Sequence, residues 1–260
     1  MKFIIEAIGI VLLLFMVTIT IGCKPENNPD DIGIFNEEIS GTYNGHDYVD
    51  LGTIIITPDD DTITILWATC NVGADNPEDY GDYFAWGEIS PKDTSYYWDT
   101  YKYSIDTLLT KYCTNYYSNY GFNGYYDDLT VLQSEDDAAT ANWGEGWCIP
   151  TSEQWKVLKK NTRSVWTARN GIEGRLFIAS NGNSIFLPAA GYRYDGKLMG
   201  VGTYGSHCSS SLAWNSPYSP LDTYYFAFAN GDCAVNVSYR YIGRSVRPVR
   251  IIETRKQGKS

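Results

Sequence analysis

Histidine is nearly absent from this chain: His46 and His207 are the only two among 260 residues. Any histidine-dependent triad must use one of them. His207 adjoins Cys208, and in a strand the two would point to opposite faces, so they cannot form a Cys–His dyad together. His46 sits in the turn-like Asn44-Gly45-His46-Asp47, where a solvated loop residue is expected. Closely spaced cysteines are lacking as well. The six stand at 23, 70, 113, 148, 208 and 233, with no pair two residues apart, which excludes the usual zinc spacings. Basic charge is scarce: 20 Lys and Arg against 31 Asp and Glu leave a formal charge of −11. Such a surface repels nucleic acid and anionic headgroups, so no nucleic-acid partner is expected.

Two apparent motifs fail on inspection. Gly191-Tyr-Arg-Tyr-Asp-Gly196-Lys197 has the spacing of a phosphate-binding loop, but Leu198 stands where the magnesium-binding Ser or Thr belongs. No strand-loop-helix pattern surrounds it, and the match is accidental. The acidic stretch Asp75 to Asp82 (DNPEDYGD) puts Pro77 and Tyr80 at the third and sixth positions of a would-be calcium loop. An EF-hand needs an acid and a glycine there. A solvated acidic loop is the default for this stretch, with an irregular calcium site as the remaining alternative. No other cofactor is expected.

The N-terminus is more telling. Lys2 precedes the apolar run Ala7 to Ile21 (AIGIVLLLFMVTITI), followed by Gly22-Cys23. A charged start, an apolar stretch and a small residue before cysteine read as a signal peptide over 1–22. The run is shorter than the ~20 residues a spanning helix needs. Cys23 fits the lipid-acceptor position of a bacterial lipoprotein, although Thr20 replaces the usual Leu three residues before it. The alternative is an uncleaved N-terminal anchor. Residues 23–41 are polar, acidic and proline-bearing, a lipidated flexible tether. The expected location is the outer membrane, anchored through acyl chains (palmitate among them) on Cys23.

From Thr42 the texture becomes globular. Tyr48 to Leu51, Thr53 to Thr57 and Thr62 to Trp67 are β-branched runs around the turn Pro58-Asp59-Asp60-Asp61, which predicts a hairpin. Tyr83 to Trp86 is a further short strand. Ser134 opens a short helix through Ala141. Thr151-Ser152-Glu153-Gln154 is a capping box, and the helix it starts carries Trp155 and Leu158 on one face and Lys159-Lys160 at its end. Strands follow at Leu176 to Ala179, Ser184 to Leu187, Tyr224 to Phe228, Val235 to Tyr239 and Ser245 to Ile251. In the last, Val246 and either Val249 or Ile251 should face inward, with Pro248 at an edge or bulge. Many short strands with a couple of helices predict the α+β class.

Aromatics are abundant: 22 Tyr, 8 Trp and 9 Phe make 15% of the chain. They concentrate in the long, Asn- and Gly-rich stretch Ser95 to Tyr126, which should be mostly loop. Tyr supplies rigid, half-polar contact area at low entropic cost, as recognition loops require. Tyr96, Tyr97, Trp98, Tyr116 and Tyr117 are therefore the candidate ligand-contacting residues. The competing reading is that these rings cover the core of a loop-heavy fold.

Several phrases occur together in order: Tyr48-Val49-Asp50-Leu51-Gly52, Leu66 to Ala74 (LWATCNVGA), Pro77 to Glu88 (PEDYGDYFAWGE), Asp136 to Gly144 (DDAATANWG), Phe186 to Arg193 (FLPAAGYR) and Gly243 to Arg250 (GRSVRPVR). Over residues 42–252 they resemble the Fibrobacter succinogenes major paralogous domain, found in exported lipoproteins of Bacteroidetes-type bacteria. That family is similar in turn to the formylglycine-generating-enzyme branch of the C-type-lectin-like fold. The resemblance implies a compact α+β domain with short strands, about two helices and long loops, and a polar tail over 253–260. It implies no settled activity. Formylglycine-generating enzymes hold copper on two nearby cysteines, whereas Cys208 and Cys233 are 25 apart here. The chain is thus expected to be no enzyme but a binding module for a glycan or a surface protein. An anchored adhesin or structural component is the rival, and a copper oxidase the less favoured enzymatic one.

Relatives carry Arg and Trp where this chain has Cys148 and Cys208. That coincidence suggests a Cys148–Cys208 disulfide, which an exported protein permits. Two buried free thiols are the alternative.

Overall fold

The computed structural model describes residues 39–56, 61–93, 95–214 and 221–254. These belong to one compact unit, Ile34–Ser260. The signal peptide, Cys23 and nearly all of the tether lie outside the described residues, as do most of the predicted turn at Pro58 and the last six residues.

The chain is mixed α+β and mostly strand. It opens with β1 (Gly41–Tyr43), β2 (His46–Ile56), β3 (Thr62–Ala68) and β4 (Tyr83–Phe84). A long irregular stretch follows, holding the two-residue strands β5 (Ser104–Ile105) and β6 (Leu108–Leu109). Helices α1 (Ala138–Trp143) and α2 (Ser152–Asn161) lead into β7 (Thr162–Arg169), β8 (Ile172–Ala179) and β9 (Ser184–Pro188). A small hairpin, β10 (Tyr192–Tyr194) and β11 (Lys197–Met199), precedes β12 (Gly205–Leu212), β13 (Asp222–Phe228) and β14 (Cys233–Tyr239). The described chain closes with β15 (Arg244–Ser245) and β16 (Val249–Thr254). The larger sheets run β1-β2-β3-β16, β14-β13-β12-β15-β4 and β7-β8-β9.

The predicted hairpin is the antiparallel pair β2–β3, whose register slips between Asp50 and Thr53. Gly52 stands at that slip with φ +65°, and its amide donates to Asp50 Oδ1 at 2.7 Å. A bulge of this kind needs a residue free to take the left-handed region. The capping box forms as expected: the Gln154 amide donates to Thr151 Oγ1 and the Thr151 amide to Gln154 Oε1. Trp155 and Leu158 are fully buried. The other predicted helix is displaced. Ser134–Asp136 is a 3-10 turn, and Asp137 is the true cap of α1, accepting from the Ala139 and Thr140 amides. Burial pushes the Asp137 carboxyl up to about 6, against those amides and that of Ile149.

The segment expected as one terminal strand is two. Ser245 closes β15, which joins the five-stranded sheet, and Val249 opens β16, which pairs with β3 in the other. Pro248 lies between them, its carbonyl accepting from the Ala68 amide at 3.0 Å. Having no amide to donate, proline suits the point where the chain changes sheets. Val246 and Val249 are fully buried, as anticipated, while Ile251 is half-buried. The strand runs on to Thr254, into the expected polar tail, and β1 begins at Gly41, inside the expected tether.

The interior consists of two main apolar clusters. One gathers Trp67, Trp155, Phe177, Phe226 and Phe228 around α2. The other holds Phe84, Trp86, Tyr96, Tyr101, Tyr103, Tyr112 and Trp147. Most of this second set is tyrosine and tryptophan, so its polar tips need partners. They find backbone carbonyls: Tyr83 Oη donates to Ala190, Tyr101 Oη to Trp86, and the Trp86 indole to Ser209. This accounts for much of the aromatic excess. Tyr103 and Tyr112 bind the buried Asp136 carboxylate, with Lys102 and Lys111. Burial opposes ionisation there, but hydrogen bonds from Lys111, the two tyrosines and Lys102 outweigh it and hold Asp136 at about 2.

Candidate functional site

Arg-flanking tyrosines build the most distinctive surface. The triplet Tyr-Arg-Tyr occurs twice, at 192–194 in β10 and at 239–241 at the end of β14. In β10, alternation puts Tyr192 and Tyr194 on one face and Arg193 on the other, whereas in the second triplet β14 ends at Tyr239 and Arg240 and Tyr241 form the turn after it. Both arginines reach aromatic rings beside β4: Arg193 Cζ lies 5.2 Å from the Tyr83 ring centroid, Arg240 Cζ 5.5 Å from that of Trp86. The tyrosines gather on the other side. Tyr239 stacks on Tyr241 with centroids 5.2 Å apart and planes at 14°, and Tyr194 stacks on Tyr241 at 6.2 Å and 28°. Tyr97 and Trp98 tilt against the same Tyr241 ring at 5.5 and 5.9 Å. Tyr241 itself is buried, but Tyr97 and Tyr239 keep 42% and 45% of their surface exposed. The result is a platform of five rings with two open faces.

A pocket of about 370 Å³ adjoins it, sharing the same two chain segments. Tyr192, Tyr204 and Tyr225 supply rings and hydroxyls to its wall, and Tyr204 Oη lies 3.2 Å from Tyr225 Oη. Tyr192 packs edge-on to Tyr204 at 6.1 Å. The β10–β11 hairpin closes one side with Met199 and Gly200. The two ends of that hairpin meet at Gly191, where a Cβ would fall 2.0 Å from the Met199 carbonyl, so only glycine fits. Arg244 forms the floor, 4% exposed, with Cζ 4.2 Å from the Tyr225 ring centroid. Its Nη1 donates to the Tyr239 and Ile242 carbonyls at 3.3 Å each. Burial pulls the guanidinium below its ordinary value.

The candidate residues expected from loop composition divide. Tyr97 and Trp98 stand in the platform. Tyr96 does not: it is buried, its hydroxyl donating to the Tyr83 carbonyl and accepting from the Lys92 amide. The chain passes through the surface there, so neighbours in sequence fall on opposite sides of it. Tyr116 is 78% exposed and packs edge-to-face on Tyr117 at 4.6 Å, with Tyr120 against Tyr117. That ring group is distinct from the one around Tyr241. Composition alone missed Tyr192, Tyr194, Tyr204, Tyr225, Tyr239, Tyr241 and Arg244. The doubled triplet was the signal that could have found four of them.

The cysteine expectation needs correction. Cys148 and Cys208 are both free thiols. Cys148 Sγ donates to the Val249 carbonyl, whereas Cys208 Sγ lies 3.8 Å from the Phe84 and Arg244 carbonyls. Each is held on its own set of partners, and burial pushes both thiols up to about 12. A copper pair fits no better. Cys208 in β12 and Cys233 in β14 flank β13 and belong to different apolar clusters. His207 and Cys208 do point to opposite faces, His207 toward Trp155 and Phe228 in the first cluster. His46 is stacked on Trp143 at 3.7 Å rather than free in solvent.

In the acidic stretch, the Asp79 carboxylate accepts from the Asn76 amide and side chain, and Glu78 pairs with Arg169. Among the described residues no group of three or more His, Cys, Asp or Glu is placed to hold a metal ion. No helix among them is long and apolar enough to cross a membrane. No family model, no curated protein and no solved structure matches the chain.

Proposed function

We propose that this chain is a lipid-anchored cell-envelope lipoprotein whose domain binds a ligand at the Tyr97–Tyr241 platform, a glycan before a protein surface. The observation that carries the reading is the platform itself. Exposed, mutually braced tyrosine faces cost little entropy on binding and stack well on the apolar faces of sugar rings. The platform rings brace one another through their contacts with Tyr241. The C-type-lectin-like arrangement of the Fibrobacter succinogenes major paralogous domain belongs to the same proposal, supported by the ordered blocks between Tyr48 and Arg250 and by a strand-rich α+β domain. A non-enzymatic role agrees with the thiols, which burial keeps protonated. The leader and Cys23 support anchorage in the outer membrane.

The test is a glycan and surface-protein array probed with wild type and with Tyr239→Ala. Binding to a saccharide that weakens roughly tenfold in the variant supports the reading. An array blank throughout overturns it and leaves an anchored structural component. Metabolic palmitate labelling tests the anchor: label should enter the wild type and not Cys23→Ala.

A further inference from the structure

Arg244 is a buried cation without an anion. Among the described residues it has no carboxylate partner, and neither Nε nor Nη2 has a hydrogen-bond partner. Nε is fully shielded. Buried arginines are normally paired, because stripping water from a guanidinium is costly unless its donors are satisfied. The Tyr225 ring offsets part of that cost through its π face, and two carbonyls satisfy Nη1. Nη2 is left over, unpaired and not shielded like Nε. A guanidinium nitrogen of this kind donates a charge-assisted hydrogen bond to a carboxylate. Nη2 belongs to a residue that lines a pocket of about 370 Å³, within the size range of small-molecule sites.

The rest of the pocket suits a sugar. Tyr192, Tyr204 and Tyr225 offer ring faces and hydroxyls, and Ser206 and Ser238 add two more hydroxyls. Such a lining hydrogen-bonds ring hydroxyls and packs on C–H faces, and it supplies no second cation for a dianionic phosphate. The lining also adjoins the platform, since Ser238 and Ile242 flank Tyr239–Tyr241.

We infer that the Arg244 pocket is a subsite for the carboxylate of an acidic sugar, held on the unpaired Nη2 of Arg244 between the three tyrosines. The inference rests on the glycan-binding reading and specifies its charge: the saccharide lies across the platform and places a uronate-type residue in the pocket.

The experiment is calorimetric titration of the full chain in detergent with methyl glucuronoside, its uncharged methyl ester and methyl glucoside. Sodium sulfate and a short peptide with a free C-terminal carboxylate are separate arms. The uronate should bind roughly tenfold or more tightly than the ester or glucoside, as expected for a charge-assisted pair. Arg244→Gln should bring it down to their level. Met199→Trp, at the exposed rim of the pocket, should also weaken the uronate without touching the guanidinium, which covers the case in which Arg244→Gln does not fold. Equal affinity for uronate, ester and glucoside overturns the inference while leaving glycan binding standing. Preference for sulfate or for the peptide carboxylate over the uronate overturns it too. Silence in all arms, with saccharides still captured on the array, removes the pocket alone; a blank array removes both readings.

Discussion

Only Ser245 and Val246 separate Arg244 from Arg247, and the two side chains have opposite lives. Arg247 is fully buried and saturated. Its Nε donates to Asn71 Oδ1 at 2.9 Å, Nη1 to the Ala68 and Thr69 carbonyls, and Nη2 to the Phe186 carbonyl at 3.1 Å. It ties the end of β3 to β9 where the chain passes from β15 to β16. Arg244 is nearly as buried, yet it lines a pocket and its Nη2 has no partner among the described residues. The difference teaches how to separate an arginine that holds a fold from one held ready for a ligand. Burial does not distinguish them; the number of satisfied donors does.

Breaking the saturated member should have the largest effect. Arg247→Leu strands the Asn71 side chain and three carbonyls in the interior, and should cost about 3–5 kcal/mol in urea-induced unfolding. A loss under about 1 kcal/mol would mean that the network is not structural.

The next effect is a titration. Burial, aided by the Arg247 charge, pulls His207 down to about 3 from the ordinary 6.5. The unfolded chain then takes up a proton that the folded chain refuses. Stability contributed by this group is therefore fully present above pH 6.5 and declines as pH falls, by about 1.4 kcal/mol per unit until about pH 3. His207→Phe should flatten that part of the stability–pH curve relative to wild type. Parallel curves for the two proteins would reject the assignment. Among the described residues neither ring nitrogen has a partner, so the variant should be no less stable near pH 7.

Arg244→Met sharpens the contrast from the other side. Replacing an unpaired buried cation by an apolar side chain of similar length should change stability by less than about 1 kcal/mol, or raise it. A drop as large as that for Arg247→Leu would show the two arginines to be equivalent. The smallest effect should come from Tyr116→Ala, an exposed ring outside the platform, with stability and saccharide binding both within about 0.5 kcal/mol of wild type.

Local signals were read well because their physics is local. The capping box at Thr151, the Trp155–Leu158 face and the β2–β3 hairpin each depend on residues a few positions apart. Strand β12 (GSHCSSSL) was not predicted, since serine and glycine are poor strand formers by composition. Its place comes from packing: neighbours cover nearly all of it, and the Trp155 and Trp86 indoles donate to the Cys208 and Ser209 carbonyls. Strand β7 was missed for a related reason, as TRSVWTAR follows α2 without a break and carries two arginines. The suggested disulfide failed because a coincidence between two positions gives no information about sulfur direction.

The sequence by itself determined the α+β class, the main helix and its cap, the hairpin, and the abundance of tyrosine. Tertiary structure alone decided which tyrosines are surface. Tyr96 and Tyr97 are chemically identical neighbours, and only the path of the chain buries one and bares the other. The same holds for Arg244 and Arg247. Whether a guanidinium is saturated depends on which carbonyls distant strands bring to it, and those distances are set by sheet packing, which no local pattern encodes.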